Sequence, residues 1–220
     1  MHVTVPFLIS AAIQADIPDA LSPEPDLGAI VAYGGTPRQI GYRAASRTED
    51  QRVGLQYQFS VSTGGREIEV YQTPEPPQSL IAFWPFPTGK LSTFVEAGRA
   101  DAWGNMEAII RHVDVATGPS GLPHVALRRP VTSGDATEPG EKEVVTFFAF
   151  SVDPPDGLVA LRFFVEPVGG RAAESFDDWG PTVQASVTVP AGFTVSCEGP
   201  ATASAALRAT ARQVADSIVM

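Results

Sequence analysis

Three histidines, His2, His112 and His124, are the side chains in this chain whose ordinary pKa suits acid–base chemistry near neutral pH, and imidazole is also a common metal ligand. None lies three or four residues from another, so they lack the spacing of a metal site on one helix. His112 and Asp114 alternate with apolar residues, which predicts that both lie on one face of a strand. His124 follows Ser120 closely, but nearness in sequence is not triad geometry. We therefore retain His112, Asp114 and His124 as weak polar-site candidates and predict no metal and no cofactor.

The other motifs that carry chemistry do not occur in the sequence. Three glycine pairs, Gly34-Gly35, Gly64-Gly65 and Gly169-Gly170, lack the further spacing of a phosphate-binding loop and predict turns. There is no Gly-x-Ser-x-Gly segment. The single cysteine, Cys197, cannot form an intramolecular disulfide, and its apolar neighbours predict a small buried residue. We predict no catalytic residue, and a hydrolase with an unrecognised site stays open as an alternative.

Large aromatic residues are the remaining candidates for a functional surface, because they are enriched at binding hot spots. Trp84 and Phe86 lie in the apolar segment 80–86, which Pro85 and Pro87 predict to be a sheet edge or a strand end. Trp103 is predicted to lie in a loop, and Trp179 in a helix. Core packing is the alternative interpretation for each tryptophan. The partner-binding candidates are Trp84, Trp103 and Phe86.

Composition limits the class of partner. The chain has 220 residues and a net charge of −10, from 25 acidic and 15 basic groups, which disfavours nucleic acid. No apolar stretch reaches the roughly 18–20 residues of a membrane span. The apolar segment 3–13 has no preceding Lys or Arg, so it is interpreted as a strand and the protein as cytoplasmic. The excess of Arg over Lys, with much Ala, Gly and Pro, resembles actinobacterial coding usage.

Periodicity predicts a sheet over most of the chain, organised as one domain over 1–220. Residues 1–27 are predicted to form an N-terminal strand and a Pro-rich arm. Residues 53–61 alternate, which predicts a strand with Tyr57, Phe59 and Val61 on one face. The chain then turns at Gly64-Gly65 into 67–72, which is typical of a β-hairpin. Further strands are predicted at 107–115, 122–131, 143–152 and 157–166, the last two as central antiparallel strands.

Helices are predicted only late in the chain. Residues 174–189 combine a helical stripe with a strand-like alternation and the break Gly180-Pro181, and we favour a helix there. Residues 201–220 predict a helix with an apolar stripe at Leu207, Ala211 and Val214. The expected fold class is therefore α+β, a predominantly antiparallel sheet with one or two C-terminal helices packed on it.

The order of features from about residue 91 to 189 resembles the PsbP/Mog1-type domain of actinobacterial proteins of unknown function. The resemblance rests on 121–129, 144–152, the turn at 154–157, 158–165 and 176–187. It implies an antiparallel sheet backed by helices in a non-catalytic binding or accessory domain, and it carries over no functional residue. The Gly180-Pro181 break and the C-terminal helix depart from the pattern.

Three functional hypotheses follow from the sequence. The first is a non-enzymatic interaction or accessory domain that binds a protein partner or self-associates. The second is a structural subunit of an assembly such as a phage or secretion particle, with the Pro-rich segments 16–27 and 72–78 lying on neighbours. The third is the hydrolase with an unrecognised site.

Overall fold

The computed structural model describes residues 1–33, 36–44, 52–96, 102–118, 120–127, 143–149, 157–165, 173–178 and 180–220. The elements follow the chain in the order β1 (His2–Val5), β2 (Ile13–Asp16), β3 (Asp26–Tyr33), β4 (Thr36–Ala44), β5 (Gln56–Thr63), β6 (Arg66–Gln72), β7 (Ser79–Phe86), β8 (Gly89–Glu96), α1 (Ala102–His112), β9 (Val113–Thr117), β10 (Pro123–Leu127), β11 (Val144–Phe148), β12 (Ala160–Val165), β13 (Ala173–Asp178), β14 (Thr182–Val189), β15 (Phe193–Pro200) and α2 (Ser204–Asp216). These elements form two compact units, one of residues 1–27 and 142–220 and one of residues 28–141.

The first unit is an antiparallel sheet covered by the C-terminal helix. Its strands hydrogen-bond in the order β13-β14-β15-β12-β11, and α2 packs on β14 and β15. Leu207, Ala211 and Val214 of α2 are buried, so the predicted apolar stripe faces the sheet. This arrangement confirms the predicted α+β class with a C-terminal helix on an antiparallel sheet. It also confirms that β11 and β12 are antiparallel neighbours.

The prediction of a helix over 174–189 is wrong, because the segment forms the hairpin of β13 and β14. Asp178 pairs with Val183 in the antiparallel register, and Gly180 takes a positive φ of 85° in the turn between them. Val183 and Ala185 are buried, as the alternating pattern requires. The Gly180-Pro181 break therefore ends a strand, and the helical spacing of the apolar residues is coincidental.

The N-terminal residues 1–27 form a core layer of the first unit and do not extend as an arm. Strand β1 pairs with β2, and Gln14 exchanges two backbone hydrogen bonds with Val219 beyond α2. Phe7 is buried and stacks on Phe193 with ring centroids 5.7 Å apart. Ile17 and Leu21 of the predicted arm are also buried, so apolar burial holds this segment in the first unit.

A buried carboxylate fixes the turn after β1. Glu143 is 9% exposed. Its carboxylate oxygens accept hydrogen bonds from the backbone N–H of Ile9 at 2.8 Å, the backbone N–H of Ser10 at 2.9 Å and the Ser10 hydroxyl. Charged hydrogen bonds of this kind are stronger than neutral ones and compensate the carboxylate for lost hydration. Glu143 therefore ties residues 9–10 to the start of β11.

The second unit contains a sheet with the hydrogen-bonded order β3-β4-β8-β7-β6-β5. Thr63 pairs with Arg66, so Gly64-Gly65 is a two-residue turn. Both glycines have positive φ, 58° and 74°, which is the conformation that a tight hairpin turn requires. The predicted β-hairpin is confirmed. Strands β9 and β10 form a separate antiparallel pair.

Strand β7 is an interior strand, so of the two positions predicted for 80–86, a sheet edge or a strand end, the sheet edge is wrong. It pairs with β8 along its length and with β6 from Leu80 to Phe83. Pro85 lies beyond the part that pairs with β6, so its missing N–H interrupts no ladder on that side. The proline therefore marks a strand end inside the sheet.

A helix replaces the strand predicted over 107–115. Helix α1 buries Ala102, Met106, Ile109 and Ile110, which recur at the three- and four-residue spacing of a helix face. It contacts β5, β7 and β8. The alternation of Ile109, Val113 and Val115 had predicted a strand. Ile109 belongs to the end of α1, whereas Val113 and Val115 belong to β9, so the pattern combined residues of two elements.

We expect Glu143→Gln to lower the free energy of unfolding by about 1–3 kcal/mol, because two backbone N–H donors lose their charged acceptor in a buried site. Chemical denaturation of the variant and the native protein measures the difference. The control Glu107→Gln removes an exposed ion pair and is expected to cost under about 1 kcal/mol. Equal losses in the two variants would show that Glu143 does not anchor residues 9–10.

Candidate functional site

The three aromatic candidates separate into two buried residues and one exposed residue. Trp84 is 1% and Phe86 8% exposed, whereas Trp103 is 44% exposed. Trp84 and Phe86 therefore lie in the core of the second unit, and neither presents a surface to a partner in this fold. Trp103 lies in the first turn of α1 and not in a loop, which corrects the predicted location. Trp179 lies outside the described residues.

Trp103 borders a groove between α1 and the terminal strand β5. Its indole packs on Phe59 with ring centroids 5.7 Å apart and planes tilted by 39°. The groove has a volume of about 560 Å³. Its lining consists of one wall from β5 and one wall from α1: Phe59, Ser60, Val61, Ser62, Trp103, Gly104, Glu107 and Arg111.

A β-bulge in β5 decides which aromatic residue faces this groove. Tyr57 pairs with Tyr71 and Phe59 pairs with Val70. Their partners Tyr71 and Val70 are consecutive residues of β6 and therefore point to opposite faces of the sheet. Tyr57 and Phe59 consequently lie on opposite faces too, with Gln58 as the extra residue between them. Tyr57 contacts Tyr71 edge-on at 5.6 Å, while Phe59 contacts Trp103. The predicted placement of both residues on one face is therefore wrong.

Strand β5 has few of the sequence features that protect an edge strand. Strand β5 is at one end of its sheet, and no described strand pairs with its outer side. Its sequence, Gln-Tyr-Gln-Phe-Ser-Val-Ser-Thr, contains no charged residue and no proline. Charged residues and prolines are the features with which many exposed edge strands oppose pairing with another chain. The bulge at Gln58 is the one such device on this strand.

Strand β13, at one end of the sheet in the first unit, is protected in the usual way. It carries Glu174, Asp177 and Asp178 among its six residues. Glu174 also forms a two-point ion pair with Arg212 of α2, at 2.7 and 2.6 Å, and the pKa of Glu174 is lowered chiefly by that hydrogen bonding. Of these two terminal strands, β13 therefore carries charge and β5 does not.

The helical wall of the groove carries balanced charge. Glu107 and Arg111 are four residues apart on α1 and form an ion pair at 2.6 Å, and both side chains are exposed. The first turn of α1 contributes a partial positive charge from its backbone N–H groups. A groove with one acid, one base, hydroxyls and aromatic rings favours a neutral occupant over a strongly charged one.

Of the three polar candidates, the described residues place Asp114 and His124, but not His112, on one strand pair. His112 is the last residue of α1 and Asp114 lies in β9, so the predicted shared strand face is wrong; the His112 side chain is outside the described part. His124 pairs with Ala116, and Asp114 with Ala126, which places Asp114 and His124 two residues apart on the exposed face of the β9–β10 pair. Among the described residues, no three His, Cys, Asp or Glu side chains converge as metal ligands.

A smaller cavity of about 190 Å³ lies in the first unit between β13, β14 and α2. The Arg208 guanidinium of α2 lines it and lies 4.1 Å from the centre of the Phe176 ring of β13. Ser186 of β14 also lines it and hydrogen-bonds to Ser196 of β15. The Arg208–Phe176 contact joins α2 to the sheet, and we assign the cavity a packing role.

Several features of the groove have only weak sequence signals. Glu107 and Arg111 have the i, i+4 spacing of a helical ion pair, and Ala102, Met106, Ile109 and Ile110 have the spacing of one buried helix face. Both patterns are typical of a helix, although the alternation over 107–115 led to the prediction of a strand. The Phe59–Trp103 contact has no sequence signal, since it depends on the bulge and on a tertiary contact 44 residues apart.

Comparisons of the chain with protein-family models, with curated proteins and with solved structures find no match. The resemblance to the PsbP/Mog1-type domain therefore stays a prediction. In the described part of the chain, neither helix has the length and apolar character needed to cross a bilayer.

Cys197 is buried in β15 with 0% exposure, and burial raises the pKa of its thiol to about 12. We expect it to resist thiol reagents at neutral pH until the protein unfolds, because the thiolate is the reacting form. Labelling with a chromogenic disulfide reagent, with and without denaturant, measures this. Stoichiometric labelling of the folded protein within minutes would contradict the buried position.

Proposed function

We propose that this chain is a non-enzymatic association domain that joins another polypeptide by strand addition at the outer edge of β5, beside Trp103. The observation that carries the proposal is the uncharged, proline-free edge of β5 bordered by the Trp103 groove. An extended segment placed there would continue the sheet of the second unit by one strand.

Strand addition requires backbone groups that can pair with the incoming segment. The inner side of β5 pairs with β6 from Gln56 to Thr63, so the strand is held in an extended conformation before a partner arrives. A preformed strand reduces the entropy lost on binding. Main-chain hydrogen bonds would supply affinity with little dependence on the partner's sequence.

Selectivity would come from the groove beside the edge. Trp103 is the type of large, half-exposed aromatic residue that forms binding hot spots, and Phe59 supports its indole from below. Alternate side chains of an added strand would point to the α1 side, into this groove. The preferred segment is therefore extended and neutral, with an apolar side chain positioned to contact Trp103.

The hydrolase hypothesis has less support from the described residues. His124 and Asp114 are exposed on a two-stranded pair, where water reaches both side chains. An assembly subunit is the second candidate function, and the edge of β5 favours it too, since unprotected edges also join subunits. We also propose that the domain acts in the cytoplasm, where a single thiol such as Cys197 stays reduced.

The test uses a phage-displayed library of random peptides selected on the immobilised native protein. We expect the selected peptides to be extended, with apolar residues at alternate positions, and to slow amide hydrogen exchange along β5. Trp103→Ala should weaken their binding by about 2 kcal/mol, the size of a typical hot spot. Titration calorimetry measures the affinities.

Two further variants separate edge pairing from a general effect of charge. Ser62→Lys places a cation on the exposed edge, opposite the strand's own neighbour Glu67, and should abolish peptide binding while the protein stays folded. Ala209→Lys adds the same charge to the exposed side of α2 and should change nothing. Peptides that bind equally to all variants, or that leave exchange of β5 unchanged, would refute strand addition at this edge.

A further inference from the structure

The composition of β5 identifies its occupant, on the condition that the proposed strand addition holds. We infer that the added strand is β5 of a second copy of this chain, paired antiparallel about a two-fold axis. The two sheets would then continue through one pair of central strands. Closed two-fold assemblies of this kind are the commonest homo-oligomers.

Charge is the first argument for a second copy. The chain carries −10, so two copies repel each other over most approaches. Strand β5 has no charged residue, and the groove beside it carries the Glu107–Arg111 ion pair with no net charge. The edge strand itself therefore brings no charged side chain against its copy, and the nearest carboxylates, Glu67 and Glu69, lie one strand further in on β6. The edge of β13, with three acidic residues, would repel its own copy.

The segment preferred by the groove has the properties of β5 itself, which is the second argument. The groove favours a neutral, extended segment with apolar side chains at alternate positions. In β5, Phe59 and Val61 are apolar residues two apart, flanked by serines. The strand is also already extended through its pairing with β6, so neither copy needs to order a flexible segment on binding.

Symmetry is compatible with the position of α1. A two-fold axis perpendicular to the sheet keeps the α1 face of both copies on the same side. The groove runs from Phe59 to Ser62 on β5 and from Trp103 to Arg111 on α1. Antiparallel pairing centred on this stretch would bring Trp103 of each copy towards Arg111 of the other, where a guanidinium can pack on the indole face.

The tests measure association directly on the full chain. We expect sedimentation equilibrium to show a monomer–dimer equilibrium of the native protein. Ser62→Lys should raise the dissociation constant by about tenfold or more, because a charge on an edge strand opposes edge-to-edge pairing. The matched control Ala209→Lys should dimerise like the native protein, and circular dichroism with thermal unfolding should show that both variants are folded.

Cysteine cross-linking then tests the direction of pairing. Single cysteines replace Ser60 or Ser62, which share one face of the regular stretch after the bulge, and the two variants are oxidised alone and as a mixture. Cys197 is buried and should not react. Antiparallel pairing predicts cross-links only between positions whose residue numbers give one constant sum, since Cα atoms must approach within about 7 Å for a disulfide. Cross-links that follow a constant difference, or no order, would overturn the antiparallel arrangement.

The outcomes distinguish this inference from the proposed function. A native protein that stays monomeric at every concentration, yet binds selected peptides at β5, would overturn the second copy as occupant and leave strand addition standing. A dimer that Ser62→Lys does not weaken would place the interface elsewhere and overturn the inference. A monomer that also binds no peptide at β5 would overturn both.

Discussion

The hydrogen-bonding capacity of the backbone at the end of an open sheet is the constraint on which the site depends. Interior strands satisfy their N–H and C=O groups on both sides, whereas a terminal strand leaves one row for water or for another chain. In the first unit, the terminal strand β13 carries acidic residues and an ion pair between Glu174 and Arg212. In the second unit, β5 has uncharged side chains beside a groove. This difference between the two terminal strands, rather than the fold class, distinguishes β5 as the candidate site.

The bulge at Gln58 has consequences for both faces of the second sheet. Without the extra residue, the alternation of Tyr57, Phe59 and Val61 would place all three side chains on the side of α1. With it, Tyr57 joins Tyr71 and Phe83 in a row of edge-on aromatic contacts on the opposite face, and Phe59 supports Trp103. A bulge also increases local twist and disrupts regular pairing. It therefore limits uncontrolled growth of the sheet while leaving the stretch from Phe59 to Thr63 regular.

Sequence patterns predicted the elements whose burial is one-sided and whose turns have special chemistry. The hairpin turn needs positive φ, which the pair Gly64-Gly65 supplies, and α2 needs one apolar face, which its spaced apolar residues supply. Both elements could therefore be predicted from the sequence. The wrong predictions arose where one apolar pattern continued across the boundary between two elements. Ile109 and Val113 belong to a helix end and a strand start, and Phe176 and Val183 belong to two strands joined at Gly180. The groove was not predictable, because the Phe59–Trp103 contact and the position of β5 in the sheet are set by strand order, which local pattern does not encode.

Repulsion elsewhere on the molecule strengthens the argument for a function at the edge of β5. An unprotected edge alone offers main-chain hydrogen bonds to any extended segment, which would make it promiscuous. A chain with 25 acidic and 15 basic residues repels acidic partners through its net charge, and specificity depends on such disfavoured alternatives as much as on favourable contacts. The neutral edge and the half-exposed Trp103 then select among the remaining partners by shape and apolar contact. Because a sheet edge is found in many folds, it is this combination of charge, edge and aromatic residue that carries the functional argument.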